Sequence, residues 1–194
     1  MNFSAREFMA DRARKFDSLA GSRFPTSIEA ISESALDSLR SGGKILVFGN
    51  GGSAALATHF SGELTGHFLG ERRPLSAISL TVDTSALTAI GNDYDYSETF
   101  SRQMEAHARQ GDLALGLTTS GNSPNVVLAL NKAKVLGVRA AVMSGKSGGP
   151  AAEAADIAAI VPSEETDFIQ EAHEAAIHYI CHKIDDYFCE GPKT

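Results

Sequence analysis

Apolar positions recur at three- and four-residue spacing through residues 2–19 and 24–41, without strand-like alternation. The pattern predicts two opening helices, the second started by Pro25-Thr26 and stopped by Gly42-Gly43. Short apolar runs of strand length then follow at 44–48, 75–80, 112–117, 139–143 and 157–161, separated by helical patterns. Strands alternating with helices predict right-handed βαβ units and an α/β fold, a doubly wound five-stranded parallel sheet flanked by helices. In such a sheet ligands sit beyond the carboxyl ends of the strands. The last pattern, 167–188, carries Ile169, Ala172, Ala176, Ile180, Ile184 and Tyr187 on one stripe and predicts a long closing helix.

No internal repeat, low-complexity tract or linker divides the pattern. The expectation is one domain over 1–194, with helices at 1–41 that pack on the core or on a neighbouring subunit, and an α/β core with its closing helix at 42–190. With 194 residues, 43% of them hydrophobic and 21% charged, the chain can bury a sizeable core without staples. Its net charge of −7 argues against nucleic-acid or anionic-membrane partners, which need clustered Lys and Arg. No stretch reaches membrane-span length, and the N-terminus lacks a signal-peptide core, so the cytoplasm is expected. Cys181 and Cys189, about 12 Å apart along one helix, lie beyond disulfide reach and read as free thiols.

The chemistry therefore has to come from loops after strands and from helix faces. Gly49-Asn50-Gly51-Gly52-Ser53-Ala54 follows the first strand, and its glycines allow positive φ and close backbone approach at a helix start. It suits an anion or a sugar hydroxyl. It also fits the dinucleotide pattern G-x-G-x-x-A, but the acidic residue expected about 20 positions on would be Glu71, in a polar loop before strand two. A sugar-binding loop is the better reading. After the third strand, Thr118, Thr119, Ser120 and Ser123 gather before Pro124, with Ser123 at the N-cap position. Hydroxyls and helix amides there can hold a phosphate without Lys or Arg, although an ordinary capped helix would look similar.

His59 and Glu63 share one helix face opposite Leu56, Phe60 and Leu64, and His67 is expected to continue their row. On the closing helix Gln170 and His178 are rotated by about 80° and separated by about 12 Å. Spacing alone does not make ligands of these histidines. Asn92 and Asp93 can bind sugar hydroxyls or simply end a helix.

GNGGSA at 49–54, HFSGE at 59–63, TSALTAIGNDY at 84–94, TTSGNSPNV at 118–126, and IQEAH with His178, taken in order, resemble the phosphoheptose isomerases of the sugar isomerase (SIS) domain superfamily. The resemblance implies conversion of sedoheptulose 7-phosphate to D-glycero-D-manno-heptose 7-phosphate, the first step toward activated heptose for bacterial surface glycans. It implies a homotetramer with sites at subunit interfaces, and sugar phosphate as the small-molecule partner. It assigns Asn50, Gly51, Gly52, Ser53, Asn92 and Asp93 to the sugar and Thr118, Thr119, Ser120 and Ser123 to phosphate, with Asp167 as a further substrate contact. It assigns zinc, one per subunit, to His59, Glu63, Gln170 and His178, with Gln170 and Glu63 also beside substrate.

Aldose–ketose isomerisation passes through an enediol and needs a base for the carbons and an acid for the oxygens. Glu63 and His178 are the expected pair. A carboxylate bound to zinc is a weaker base, so either ligands exchange during turnover or the metal chiefly polarises substrate oxygens. The wide spacing of Gln170 and His178 also makes it hard for both to reach one ion from a straight helix, which suggests completion across a subunit interface. The sequence departs from the family pattern at His67, where arginine is common, and at Tyr94-Asp95-Tyr96. Arg72 and Arg73 are expected to be solvated loop residues rather than substitutes. The rival readings are a non-catalytic SIS-domain protein associated with the replication initiator, which would lack the acid/base pair, a nicotinamide-dependent oxidoreductase, and an isomerase of another sugar phosphate.

Overall fold

The five apolar runs become five parallel strands in the computed structural model of the chain, which describes residues 4–189. In chain order the elements are α1 (Ala5–Ala20), α2 (Phe24–Arg40), β1 (Ile45–Gly49), α3 (Gly52–Thr65), β2 (Ala77–Ser79), α4 (Thr84–Asp93), a 3-10 turn (Tyr96–Glu98), α5 (Thr99–His107), β3 (Leu113–Thr118), α6 (Pro124–Val135), β4 (Arg139–Gly145), α7 (Gly149–Ala154), β5 (Ile157–Val161) and α8 (Thr166–Phe188). The expected fold class is therefore observed.

Alternation along the strands builds two cores. Ile45 and Val47 of β1 face a layer containing Leu39 of α2, Phe60 and Leu64 of α3, and Ile177 and Ile180 of α8. Leu46 and Phe48 face the opposite layer, with Phe100 and Met104 of α5 and Val126 and Leu130 of α6. Each large apolar side chain so buried contributes about 1.5–3 kcal/mol. β2 is shorter than the apolar run at 75–80 because it is an edge strand that pairs only with β1, from Ile45↔Ala77 to Val47↔Ser79. No helix of the described residues is long and apolar enough to cross a membrane.

Strand order is β2-β1-β3-β4-β5. The chain leaves β1 toward one edge and resumes at β3 toward the other, so the order reverses between these neighbours, where a crevice opens beyond the carboxyl ends. Gly49 at the end of β1 lies in register with Leu117 of β3. The fold thus delivers the glycine loop and the hydroxyl loop side by side.

Two expectations outside the sheet are corrected. α3 ends at Thr65, and Gly66 leaves helical backbone at φ −84°, ψ −118°, so His67 lies beyond the helix and off the row of His59 and Glu63. Arg72 is not solvated: its side chain is fully buried, Nε lies 2.7 Å from Asp185 Oδ1, and its remaining nitrogens donate to the carbonyls of Glu63 (2.8 Å), Leu64 (3.0 Å) and Arg73. Its apolar stem and guanidinium plug the loop against α8, a role that adjacency in sequence does not signal. Arg73 is exposed as expected, with its guanidinium over the Phe188 ring.

Candidate active site

The glycine loop leaves β1 through Gly51, whose φ of 57° favours glycine, and enters α3 with no side chain capping its first turn. Asn50 is held at the rim of this loop: its Nδ2 donates to Asn125 Oδ1 (2.8 Å), and Asn125 Nδ2 donates back to Asn50 Oδ1 (2.9 Å). Tyr96 Oη adds a third bond to Asn50 Oδ1 (3.1 Å). Ser53 is buried within the first turn of α3. A side chain at Gly52 would run into the Gln170 carboxamide, so the absence of a Cβ admits Gln170 from α8 to the edge of the loop.

On the neighbouring strand, Thr118 Oγ1 and Ser123 Oγ lie 3.2 Å apart, and the Gly121 amide donates to Thr118 Oγ1 at 3.3 Å. Ser123 occupies the N-cap position of α6, yet its hydroxyl makes no capping bond, so it remains turned to the loop with Thr118. Thr119 and Ser120 are half-buried beside them, and Ser120 Oγ accepts from the Asn122 amide at 3.1 Å. Hydroxyls at the start of a helix headed by Pro124 suit a phosphate, which gains from the helix dipole as well.

The titratable groups converge from α3 and α8. His59 Nε2 and His178 Nε2 are 3.0 Å apart. On the opposite side of the His59 ring, Nδ1 is 3.6 Å from Glu63 Oε1. Phe68 lies nearly parallel to the His178 ring, at 5.7 Å between centroids and 22°. One ligand atom each from His59, Glu174 and His178 lies within 4.8 Å of the others, a group able to hold a metal ion. Two imidazole nitrogens and a carboxylate are a donor set that zinc accepts, and ligands about 2.0–2.1 Å from a tetrahedral ion sit about 3.3 Å apart, close to the observed spacing of the two imidazoles.

Not every expected residue joins this group. Asn92 and Asp93 are exposed in the last turn of α4 and bond to each other at 2.7 Å. Asp167 is exposed and turns its carboxylate to Arg12 of α1, whose buried guanidinium also meets Glu165 at 3.1 Å and Glu171 at 2.9 Å. Four residues to which the sequence assigned no role lie at the candidate site: Asn125, Tyr96, Phe68 and Glu174. Asn125 stands inside the recognised TTSGNSPNV stretch, and Glu174 lies four residues from both Gln170 and His178, so a row at that interval was available to be read.

Burial shifts two further titratable groups of α8 toward their neutral forms. Burial pushes the His173 imidazole down to about 4, against which its bond to the Ser144 carbonyl acts only weakly. Burial, reinforced by Glu63 and Asp185, pushes the Cys181 thiol up to about 12. Both cysteines are free.

Residues 12–145 match the family model described as SIS domain. The chain is 55% identical over 161 residues to a probable phosphoheptose isomerase of Thermoplasma volcanium, covering 83% of this chain and 82% of that protein. It is 51% identical over 162 residues to a phosphoheptose isomerase of Campylobacter concisus, covering 84% and 86%. Its structure is similar to that of a phosphoheptose isomerase from Neisseria gonorrhoeae, with a TM-score of 0.86 and 40% identity over 93% of this chain and 96% of the other.

Proposed function

The chain belongs to the SIS domain family and within it to the phosphoheptose isomerases, and on that premise we propose that it isomerises D-sedoheptulose 7-phosphate to D-glycero-D-manno-heptose 7-phosphate in heptose biosynthesis. The observation that carries the chemistry is the meeting of His59, Glu63 and His178 across α3 and α8, beside two anion-suited loops at the switch point of the sheet. Phosphate rests on Thr118, Thr119, Ser120 and Ser123. The sugar chain extends over Asn50, Gly51, Gly52 and Ser53 toward the acid/base pair, with Gln170, Asn92, Asp93 and Asp167 as further contacts.

Glu63 takes a proton from one carbon and returns it to the next, which a carboxylate can do when held within reach of both. His178 has two ring nitrogens; Nε2 faces His59, which leaves Nδ1 to exchange protons with the substrate oxygens. His59 and His178, with carboxylate help, would hold zinc, and the ion when bound supplies a Lewis acid that stabilises the enediolate oxygen. The reading extends to a cytoplasmic homotetramer; support comes from the resemblance, from the free thiols, and from an open apolar groove between α1, α2 and α8 lined by Phe16, Phe24, Ile28 and Tyr179. Incubating the purified protein with heptulose, pentulose and hexulose phosphates, with and without chelator, and identifying the products tests this reading. Turnover of the heptulose phosphate with chelator sensitivity is expected; turnover of only the shorter sugars contradicts it.

A further inference from the structure

Tyr96 stands at both ends of one closed chain of hydrogen bonds. Its Oη donates to Asn50 Oδ1 (3.1 Å), which also accepts from Asn125 Nδ2 (2.9 Å). Asn125 Nδ2 donates as well to Thr99 Oγ1 (3.4 Å), and that hydroxyl donates back to the Tyr96 carbonyl (2.8 Å). Thr99 and Asn125 are buried, whereas the Tyr96 ring is exposed.

The polarity of this chain is set from the backbone. The Val126 amide donates to Asn125 Oδ1 (3.0 Å), which fixes that atom as the oxygen and turns the amino group of Asn125 toward Asn50. Asn50 must then present Nδ2 to Asn125 Oδ1 (2.8 Å) and Oδ1 to Asn125 Nδ2. A carboxamide offers two lone pairs and two hydrogens. Asn125 uses all four in these bonds. Asn50 uses both lone pairs, one on Asn125 and one on Tyr96, and a single hydrogen. Among the described residues, the second Nδ2 hydrogen of Asn50 is the part of the pair left over, and it lies at the rim of the glycine loop.

Asp95 holds the tyrosine in place. It caps the 3-10 turn, with Oδ1 accepting from the Ser97 amide at 2.8 Å, a bond that glycine could not supply. The aspartate of Tyr94-Asp95-Tyr96 thus has a local task, and the tyrosine after it reaches across to β1's loop.

We propose that Tyr96 is a positioning residue that makes Asn50 a donor-only contact, whose free Nδ2 hydrogen meets an oxygen of the sugar phosphate. This rests on the reading of the glycine loop as the sugar site. An open lone pair on Asn50 Oδ1 would accept from sugar hydroxyls and let the carboxamide bind in either sense; Tyr96 Oη fills it. The contact then selects an acceptor, a carbonyl oxygen or a hydroxyl oxygen whose own hydrogen points elsewhere. Tyr96 acts through Asn50 and needs no contact with substrate to do so.

The test is a double-mutant cycle on the full chain with Tyr96→Phe, Asn50→Ala and the pair, read as kcat and KM for sedoheptulose 7-phosphate, its Kd by calorimetry, and the thermal midpoint. Tyr96→Phe is expected to lower kcat/KM by about threefold or more, almost all of it in KM. Its midpoint should stay within about 2 °C of the parent, since the ring is exposed. In the Asn50→Ala background the same change should have less than about a twofold effect, because the atom it acts on is gone. A smaller loss in Tyr96→Phe, an equal loss in both backgrounds, or a fall in midpoint that accompanies the loss of activity would overturn the proposal. A parent that binds sedoheptulose 7-phosphate without converting it sinks the isomerase reading alone, and the cycle in Kd then decides the role of Tyr96. A parent that neither binds nor converts it overturns both.

Discussion

Asn50 and Asn125 hold each other's carboxamides through two reciprocal hydrogen bonds of 2.8 and 2.9 Å, across 75 residues of sequence. The pair staples the loop after β1 to the first turn of α6 and so fixes the spacing of the glycine loop and the hydroxyl loop. Asn125 is buried, and its Nδ2 also reaches Thr99 Oγ1 at 3.4 Å. Replacing it with Ala leaves Asn50 half-buried and unpaired on that side, at a cost of about 1–3 kcal/mol. Asn125→Ala should therefore lower the midpoint of denaturant unfolding and raise KM more than it lowers kcat.

Gly52 makes a different kind of prediction, because a Cβ there meets the flexible end of Gln170 rather than backbone. The residue starts α3, where Ala suits a helix better than Gly by up to about 1 kcal/mol. Gly52→Ala should keep or slightly raise thermal stability while displacing Gln170 and reducing kcat/KM. Equal loss of stability and activity would show that the contact is packing alone.

Arg72 and Asp185 are the ion pair that anchors the loop between α3 and β2. Burial acts on Asp185 to raise its pKa, but the Gly70 and Leu69 amides and Arg72 overcome it and hold the carboxyl below its usual value. Removing the acid with Asp185→Asn strands a buried guanidinium, which typically costs about 3–5 kcal/mol. Chemical denaturation of this variant should show that loss.

His173 predicts the acid limb of stability. Its imidazole titrates at about 4 when folded against 6.5 when free, so the unfolded chain binds the extra proton first. Stability from this group is complete above pH 6.5 and falls as pH drops toward about 4, by roughly 3 kcal/mol in all. Asp185 adds a further loss in the same direction as pH falls through its lowered pKa. Unfolding free energy measured between pH 4 and 6.5 should rise with pH in the parent chain, and the slope should flatten in His173→Gln.

The parts of this protein that could be read from its sequence are those in which neighbours in the chain are neighbours in function. Apolar runs separated by helical stripes specified the parallel sheet, and Gly49 to Ala54 and Thr118 to Pro124 announced two loops because glycine φ, hydroxyl caps and proline act locally. Arg72 was misread because its partner, Asp185, is 113 residues away and only the folded chain brings them together. His67 was placed on the helix row because nothing in its spacing showed that Gly66 would turn the backbone out. Asn125 and Glu174 passed unnoticed for a related reason: each takes its meaning from a residue on another element, Asn50 or His59.

On the proposed function, Glu63, 3.6 Å from His59 Nδ1, moves the proton that turns a heptulose phosphate into a heptose phosphate. The most direct measurement is the rate of D-glycero-D-manno-heptose 7-phosphate formation from sedoheptulose 7-phosphate by the parent chain and by folded Glu63→Gln. Turnover by the parent and a loss of about 100-fold or more in the variant are expected; an inactive parent or a fully active Glu63→Gln would rule out this role for Glu63.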